Sequence, residues 1–179
     1  MKIKEPYHHQ KKKNSCYPAC IKMVLETYGK IEAEQAICDK IDYYDSCGTI
    51  ELESAEPFIL KKFGLYVLCG KNYSLDELIL TTGLSSGLRR IRPIIGVDPG
   101  IIYGKHPAGH GHAIVVERAN LIKQKEYTFL ISDPDPMKKE QIIPEKDLSL
   151  AWNKSDNFML FILDNGETYR IIHNIIKKK

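Results

Sequence analysis

The hydrophobic pattern of this chain changes near residue 92 from a helical period to an extended one. Apolar side chains recur with helical spacing in the early segments 17–28 and 31–41. Helices are also predicted at 51–64 and at 74–83, where Ser74 and Glu77 have the spacing of a capping box. Short apolar runs, most of them rich in β-branched residues, are typical of strands and occupy segments 65–68, 93–97, 112–116, 127–131 and 158–163. One more helix is predicted at 144–152. Helices followed mainly by strands predict an α+β fold.

The length of the chain limits the number of domains. With 179 residues, of which 43% are hydrophobic, there is material for one sizeable core and hardly for two. We therefore predict a single domain over residues 1–179, with its core at about 5–164 and a short basic tail. Residues 98–111, which are rich in glycine and proline, are predicted to form the longest irregular loop.

Composition excludes several classes of partner. The formal net charge is only +3 and the basic residues are spread out, so there is no footprint for nucleic acid. No apolar segment approaches the roughly 20 residues of a spanning helix, and the N-terminus lacks the apolar run of a signal peptide, so we expect a cytoplasmic protein. Five cysteines without Cys-x-x-Cys spacing predict free thiols, and no pattern indicates an oligomeric state.

Cys16 is the strongest candidate for a reactive group. It falls at the N-terminal edge of the first predicted helix, where unsatisfied amides and the helix dipole stabilise an anion and lower a thiol pKa. Position alone leaves open that Cys16 is a small buried apolar residue, as many free cysteines are.

Three further residues have positions that suit catalysis with this thiol. His112 opens a predicted strand and Asp133 ends the next one, so antiparallel pairing would bring the imidazole and the carboxylate to the same end of a sheet. Asp133 also precedes Pro134, where an ordinary turn residue is expected. Gln10, six residues before Cys16, is placed to donate its amide to an oxyanion together with the Cys16 backbone amide.

These residues resemble the motifs of a known family, the bacteriocin-processing peptidases that cut double-glycine leaders and their stand-alone relatives among the papain-like cysteine peptidases. Gln10 and residues 14–29, NSCYPACIKMVLETYG, are similar to its opening motif, HAIVV at 112–116 to its histidine strand and SDP at 132–134 to its Asp-Pro motif. Weaker similarities lie in RPII at 92–95 and LSLAW at 148–152.

The resemblance implies a papain-like α+β fold, with N-terminal helices packed on an antiparallel sheet. It implies Cys16 as nucleophile, His112 as general base and acid, Asp133 as orienting carboxylate and Gln10 as oxyanion donor. The substrate would be a peptide or protein, and no metal or organic cofactor is required. Family members commonly have Asp before and Gly after the nucleophile, whereas this chain has Ser15 and Tyr17, and the bulkier Tyr17 is expected to reshape the cleft.

Three alternatives remain from the sequence. A catalytically weak module on the same fold would bind a precursor without cutting it, and a transpeptidase would pass the acyl group to an amine instead of water. A zinc site is the third, since imidazole is a favoured zinc ligand. Its candidate ligands are His8, His9, His106, His110 and His112.

Overall fold

Seven α-helices, one short 3-10 helix (Leu52–Ser54) and eight strands are present in the computed structural model, which describes residues 5–83, 91–104, 111–123 and 126–176. The helices are α1 (Cys16–Thr27), α2 (Glu34–Cys38), α3 (Ala55–Phe63), α4 (Leu75–Gly83), α5 (Pro99–Tyr103), α6 (Glu145–Asn153) and α7 (Gly166–Ile176). The strands are β1 (Tyr43–Tyr44), β2 (Gly48–Thr49), β3 (Tyr66–Gly70), β4 (Ile94–Val97), β5 (His112–Lys123), β6 (Glu126–Asp133), β7 (Lys139–Pro144) and β8 (Met159–Leu163).

The central element is an antiparallel sheet of six strands in the order β3-β8-β4-β5-β6-β7. Successive side chains of a strand point to opposite faces, and here both faces are apolar. Ala113 and Val115 join a cluster with α1, α2 and α3, whereas Ile114 and Val116 join a second cluster with α4, α6 and α7. Because helices cover both faces, β4 and β8 are buried over their whole length and β5 is buried over residues 113–117, as the unbroken apolar runs indicate. The predicted α+β class is confirmed.

Several predicted elements are confirmed with shifted ends, and others were missed. Helix α1 begins at Cys16 as expected, and α2 covers only part of the predicted 31–41 segment. Residues 98–111 do not begin as an irregular loop, since Asp98 accepts a hydrogen bond from the Gly100 amide at 2.8 Å and caps α5. Strand β7 and helix α7 were not predicted. The basic tail at 177–179 lies outside the described residues, and the single-domain interpretation stays a prediction.

The start of α4 shows how a local motif fixes a helix end. The Glu77 carboxylate accepts hydrogen bonds from the Ser74 amide at 2.6 Å and the Ser74 hydroxyl at 2.8 Å. The Glu77 amide in turn donates to the Ser74 hydroxyl at 3.3 Å. This reciprocal pattern is the capping box that the sequence predicts.

A buried ion pair joins the helical side of the molecule to the sheet. Arg92, only 1% exposed, donates through Nε and Nη2 to both carboxylate oxygens of Glu117 on β5, at 2.9 and 2.6 Å. Its Nη1 also donates to the Met23 carbonyl at 2.9 Å and to the Thr27 hydroxyl at 2.8 Å, both on α1. Nη2 reaches the Pro6 carbonyl at 3.0 Å. Arg92 therefore fixes α1, which carries Cys16, against the strand that carries His112.

The helices offer no candidate for a membrane span. Within the described parts of the chain, none combines the length and the apolar character that crossing a bilayer requires.

Candidate active site

Cys16 is the first residue of α1 and is partly exposed. Pro18 lies in the first turn, where a residue without an N–H is tolerated because these amides lack an acceptor within the helix. The rest of the helix is anchored by buried side chains that include Ile21, Met23 and Leu25. The thiol therefore stands at the positive end of a helix that the core holds in place.

His112 and Asp133 are brought together by strand pairing. Strands β5 and β6 are antiparallel neighbours with Val115 opposite Ser132. The start of β5 and the end of β6 therefore lie side by side at the same end of the two strands. His112 Nε2 is 2.8 Å from Asp133 Oδ1. Asp133 has no exposed surface. The expected antiparallel pairing is confirmed, and the carboxylate is close enough to fix the imidazole tautomer.

The imidazole of His112 lies close enough to the thiol of Cys16 to act on its pKa through hydrogen bonding and charge. Since Nε2 faces Asp133, Nδ1 is the ring nitrogen left for the sulfur. Three distant stretches of chain thus bring these groups together in one line, from thiol to imidazole to carboxylate.

Electrostatics in this line favour a charged pair. Burial raises the pKa of the Cys16 thiol, but the hydrogen bond and charge of His112, with backbone hydrogen bonds at Ala113 and Tyr17, bring that pKa below its ordinary value. Burial lowers the pKa of His112, but the hydrogen bonds with Asp133 and Cys16 outweigh it and raise the pKa to about 10. The lowered pKa of Cys16 and the raised pKa of His112 both favour a thiolate and an imidazolium at neutral pH.

Gln10 lies in the same region but uses its amide within the arm. Its Nε2 donates to the Lys12 carbonyl at 3.0 Å and to the Lys13 carbonyl at 2.7 Å, while Oε1 is buried without a described partner. The Gln10 backbone amide donates to the Pro134 carbonyl at 2.8 Å, which ties the arm to the end of β6. The oxyanion role of Gln10 stays a prediction, and it requires the side-chain amide to turn away from these two carbonyls.

A buried carboxylate shapes the loop before the nucleophile. Glu34, 2% exposed, accepts from the Ser15 hydroxyl at 2.7 Å and from the Lys11 amide at 2.9 Å. On the other side, a Cβ at Gly48 would lie 2.9 Å from the Asn14 carbonyl, and Gly48 has a positive φ of 86°. Only glycine fits there without strain. The loop that leads into Cys16 is therefore held from two sides.

Two tyrosines near Asp133 were not found by sequence analysis. The Tyr103 hydroxyl donates to Asp133 Oδ2, and the Tyr7 hydroxyl donates to the Asp133 backbone carbonyl at 2.7 Å. Tyr103 belongs to α5, a helix hidden inside the predicted loop, and Tyr7 belongs to the N-terminal arm. Neither lies in a motif, so no local signal marked them.

Two residues near the nucleophile in α1, Tyr17 and Cys20, point into the core. Tyr17 is 2% exposed, its hydroxyl donates to the Leu52 carbonyl at 2.5 Å, and its ring contacts that of Phe158. The expectation that Tyr17 reshapes the cleft is therefore wrong, because the side chain fills the interior behind it. Cys20 is fully buried and its Sγ donates to the Ala113 carbonyl at 3.3 Å, as its inward position in the helix predicts.

Two of the histidines that suggested a zinc site, His8 and His112, have separate surroundings. His8 lies 2.6 Å from a Glu26 carboxylate oxygen, and His112 faces Cys16 and Asp133. His106 and His110 lie outside the described residues. Among the residues that are described, no group of three or more His, Cys, Asp or Glu side chains could hold a metal ion.

N-terminal helices packed on an antiparallel sheet, with a thiol at a helix N-terminus near a histidine on a strand, define a papain-like cysteine peptidase fold. Residues 2–158 match the family described as Peptidase_C39 like, and the chain belongs to this family. No curated protein sequence matches the chain.

Solved structures show the same fold. A C39-like peptidase from Bacillus anthracis has a TM-score of 0.67 at 11% identity, over 90% of this chain and 95% of that one. A double glycine motif protease from an AMS/PCAT transporter, in complex with its leader peptide, has a TM-score of 0.59 at 17% identity, over 90% and 93%. Bromelain from Ananas comosus, in complex with the E64 inhibitor, has a TM-score of 0.59 at 13% identity, over 89% and 94%. These similarities concern the fold.

Proposed function

We propose that this chain is a cysteine peptidase that cleaves a peptide or a precursor protein. The observation that carries the proposal is the line of side chains from the Cys16 thiol, whose pKa His112 lowers, through the imidazole to the buried carboxylate of Asp133. Cys16 is the nucleophile, His112 the general acid and base, and Asp133 the group that orients the imidazole. Family membership and the leader-peptide complex of a similar fold support a peptide substrate.

The first half of the reaction forms a thioester. The Cys16 thiolate attacks the carbonyl carbon of the scissile bond, and the carbonyl oxygen takes the negative charge. The C–N bond then breaks, and the His112 imidazolium gives its proton to the departing amine. Asp133 stabilises the imidazolium before this transfer and holds its ring orientation throughout.

The second half releases the acid. Neutral His112 removes a proton from a water molecule, which attacks the thioester carbon, and the C–S bond breaks. The carboxylic acid product leaves, and the thiolate and imidazolium are restored. The reaction therefore consumes one water for each peptide bond and needs no redox partner.

The oxyanion is held, in this proposal, by the backbone amide of Cys16 and the side-chain amide of Gln10. An amide in the first turn of a helix has no acceptor within that helix, so it is available to a ligand. Gln10 can serve when Nε2 releases one of the two carbonyls that it contacts. We further propose a cytoplasmic setting, because all five cysteines are free.

Peptide cleavage tests the proposal directly. Purified protein would be incubated with leader-like peptides that have Gly-Gly before the junction and with matched Ala-Ala peptides, and the products would be analysed by mass spectrometry. We expect two products whose masses sum to that of the substrate plus one water. Cys16→Ala should lower the rate by about 10³-fold or more, because the covalent route is lost.

Adding an amine to the reaction distinguishes hydrolysis from acyl transfer. A product that carries the amine instead of water would identify acyl transfer on the same thioester. Cleavage by Cys16→Ala at the wild-type rate, or binding of the peptides without any cleavage, would contradict the proposed hydrolysis.

A further inference from the structure

Both oxygens of the Asp133 carboxylate are occupied by donors. Oδ1 accepts from His112 Nε2 at 2.8 Å and from the Asp135 amide at 2.8 Å, and Oδ2 accepts from the Tyr103 hydroxyl. Asp133 has no exposed surface, so water does not compete for these positions. Tyr103 thus donates to the carboxylate oxygen that does not bond to His112.

We propose that Tyr103 is a positioning residue of the peptidase, which fixes the rotation of the Asp133 carboxylate so that Oδ1 stays aimed at His112. The inference rests on the proposed function and deepens it. Tyr103 acts through Asp133 on the imidazole, and it needs no contact with the substrate. It adds a fourth residue to the line that begins at Cys16.

Geometry gives the reason why a second donor matters. A carboxylate held only at Oδ1 can rotate about its Cβ–Cγ bond, since the torsion at an sp² group is broad. A donor at Oδ2 removes that freedom. Without it, a buried carboxylate oxygen would have no partner, which favours a rotation toward other donors at the expense of the bond with His112.

The phenol of Tyr103 is well suited to remain a donor. Burial raises its pKa, and the charge and hydrogen bond of Asp133 raise it further, so the hydroxyl keeps its proton. The Lys138 ammonium lies 4.1 Å from the centre of the Tyr103 ring, on its face, and this contact helps to hold the ring in place. Tyr103 also ends α5, which follows directly from β4, the strand paired with β5 at Val97 and His112.

The structure offers a matched control in Tyr7. Its hydroxyl also donates to Asp133, but to the backbone carbonyl at 2.7 Å and not to the carboxylate. Tyr7→Phe and Tyr103→Phe each remove one hydroxyl donor from the same residue. Only the second change frees the carboxylate to rotate.

The test measures the His112–Asp133 bond itself. In wild-type protein with labelled histidine, we expect a downfield Nε2–H proton in the NMR spectrum that exchanges slowly with water. Tyr103→Phe should move this proton upfield or lose it to exchange, and should slow Cys16 alkylation by iodoacetamide at pH 7 about tenfold. Tyr7→Phe should keep the signal and the alkylation rate, with a similar loss of thermal stability.

A second variant tests rescue. p-Aminophenylalanine at position 103 keeps an N–H donor toward Oδ2, so it should restore both the Nε2–H signal and most of the alkylation rate. This variant also serves if Tyr103→Phe does not fold, because the carboxylate keeps its partner. The readout does not depend on turnover, and it therefore separates this inference from the proposed peptidase activity.

Three results would overturn the inference: an unchanged Nε2–H signal in Tyr103→Phe, a downfield shift that indicates a stronger bond to His112, or a failure of p-aminophenylalanine to restore the signal. The first would make the tyrosine structural only, and the second would mean that its hydroxyl weakens Asp133 as an acceptor.

Discussion

His112→Ala is expected to reduce peptide cleavage by about 10³-fold or more while leaving the fold intact. The imidazole is needed twice, first to give a proton to the departing amine and then to activate water. Its loss also removes the main group that lowers the pKa of the Cys16 thiol, so burial will raise that pKa and less thiolate will be present at neutral pH. The measurement is the rate of peptide cleavage, followed by mass spectrometry at pH 7.

A matched histidine substitution controls for this result. His173 lies on α7, where its ring stacks on that of Tyr169, far along the chain from the candidate site. His173→Ala should keep the wild-type cleavage rate. Undiminished cleavage by folded His112→Ala protein would remove His112 from the mechanism and leave the His112–Asp133 pair without a catalytic role.

Arg92→Met is expected to lower the free energy of unfolding by about 3–5 kcal/mol, the usual cost of breaking a buried ion pair from one side. The substitution leaves the Glu117 carboxylate, which is 4% exposed, without its bidentate partner. It also removes the Arg92 donor from the Met23 carbonyl and from the Thr27 hydroxyl of α1. Urea denaturation of both proteins measures the difference.

The double variant Arg92→Met with Glu117→Met is the control for this prediction. It removes both charges together, so it should be clearly more stable than Arg92→Met alone, because no uncompensated charge remains. Equal stability of the single and double variants would show that the ion pair is not the source of the effect. A loss below about 0.5 kcal/mol in Arg92→Met would contradict the account of how α1 is fixed to the sheet.

The parts of the fold that sequence analysis could predict are those with a strong local signal. The capping box at Ser74, the helix that starts at Cys16 and the apolar strands all depend on neighbours within a few residues. Strand β7 has no such signal, because its residues 139–144 mix charged and apolar side chains at the edge of the sheet. Helix α5 was missed because Pro99 and Gly100 are typical of loops, although Pro also suits a first helical turn.

The site residues could likewise be predicted only where a simple rule connects the sequence to their positions. His112 and Asp133 could be placed together because antiparallel pairing of successive strands is a simple rule, and the residues stand at the right ends. The position of Tyr103 could not be predicted, since its contact with Asp133 depends on where α5 packs in the folded chain. The present position of the Gln10 amide could not be predicted either, because it depends on the conformation of the residues that follow it.

The most direct test of the central claim is the pH dependence of Cys16 alkylation in the wild-type protein, with the exposed Cys47 as the reference inside the same molecule. Iodoacetamide reacts with the thiolate, and an ordinary thiol with a pKa of about 8.5 loses its thiolate about tenfold for each pH unit below that value. Because His112 lowers the pKa of Cys16, the Cys16 rate should fall less steeply below pH 9 than that of an ordinary thiol, and at pH 7 it should exceed the rate of Cys47. If Cys16 instead slows in parallel with Cys47 over this range and reacts no faster, the thiol is not paired with the imidazole and the account is wrong.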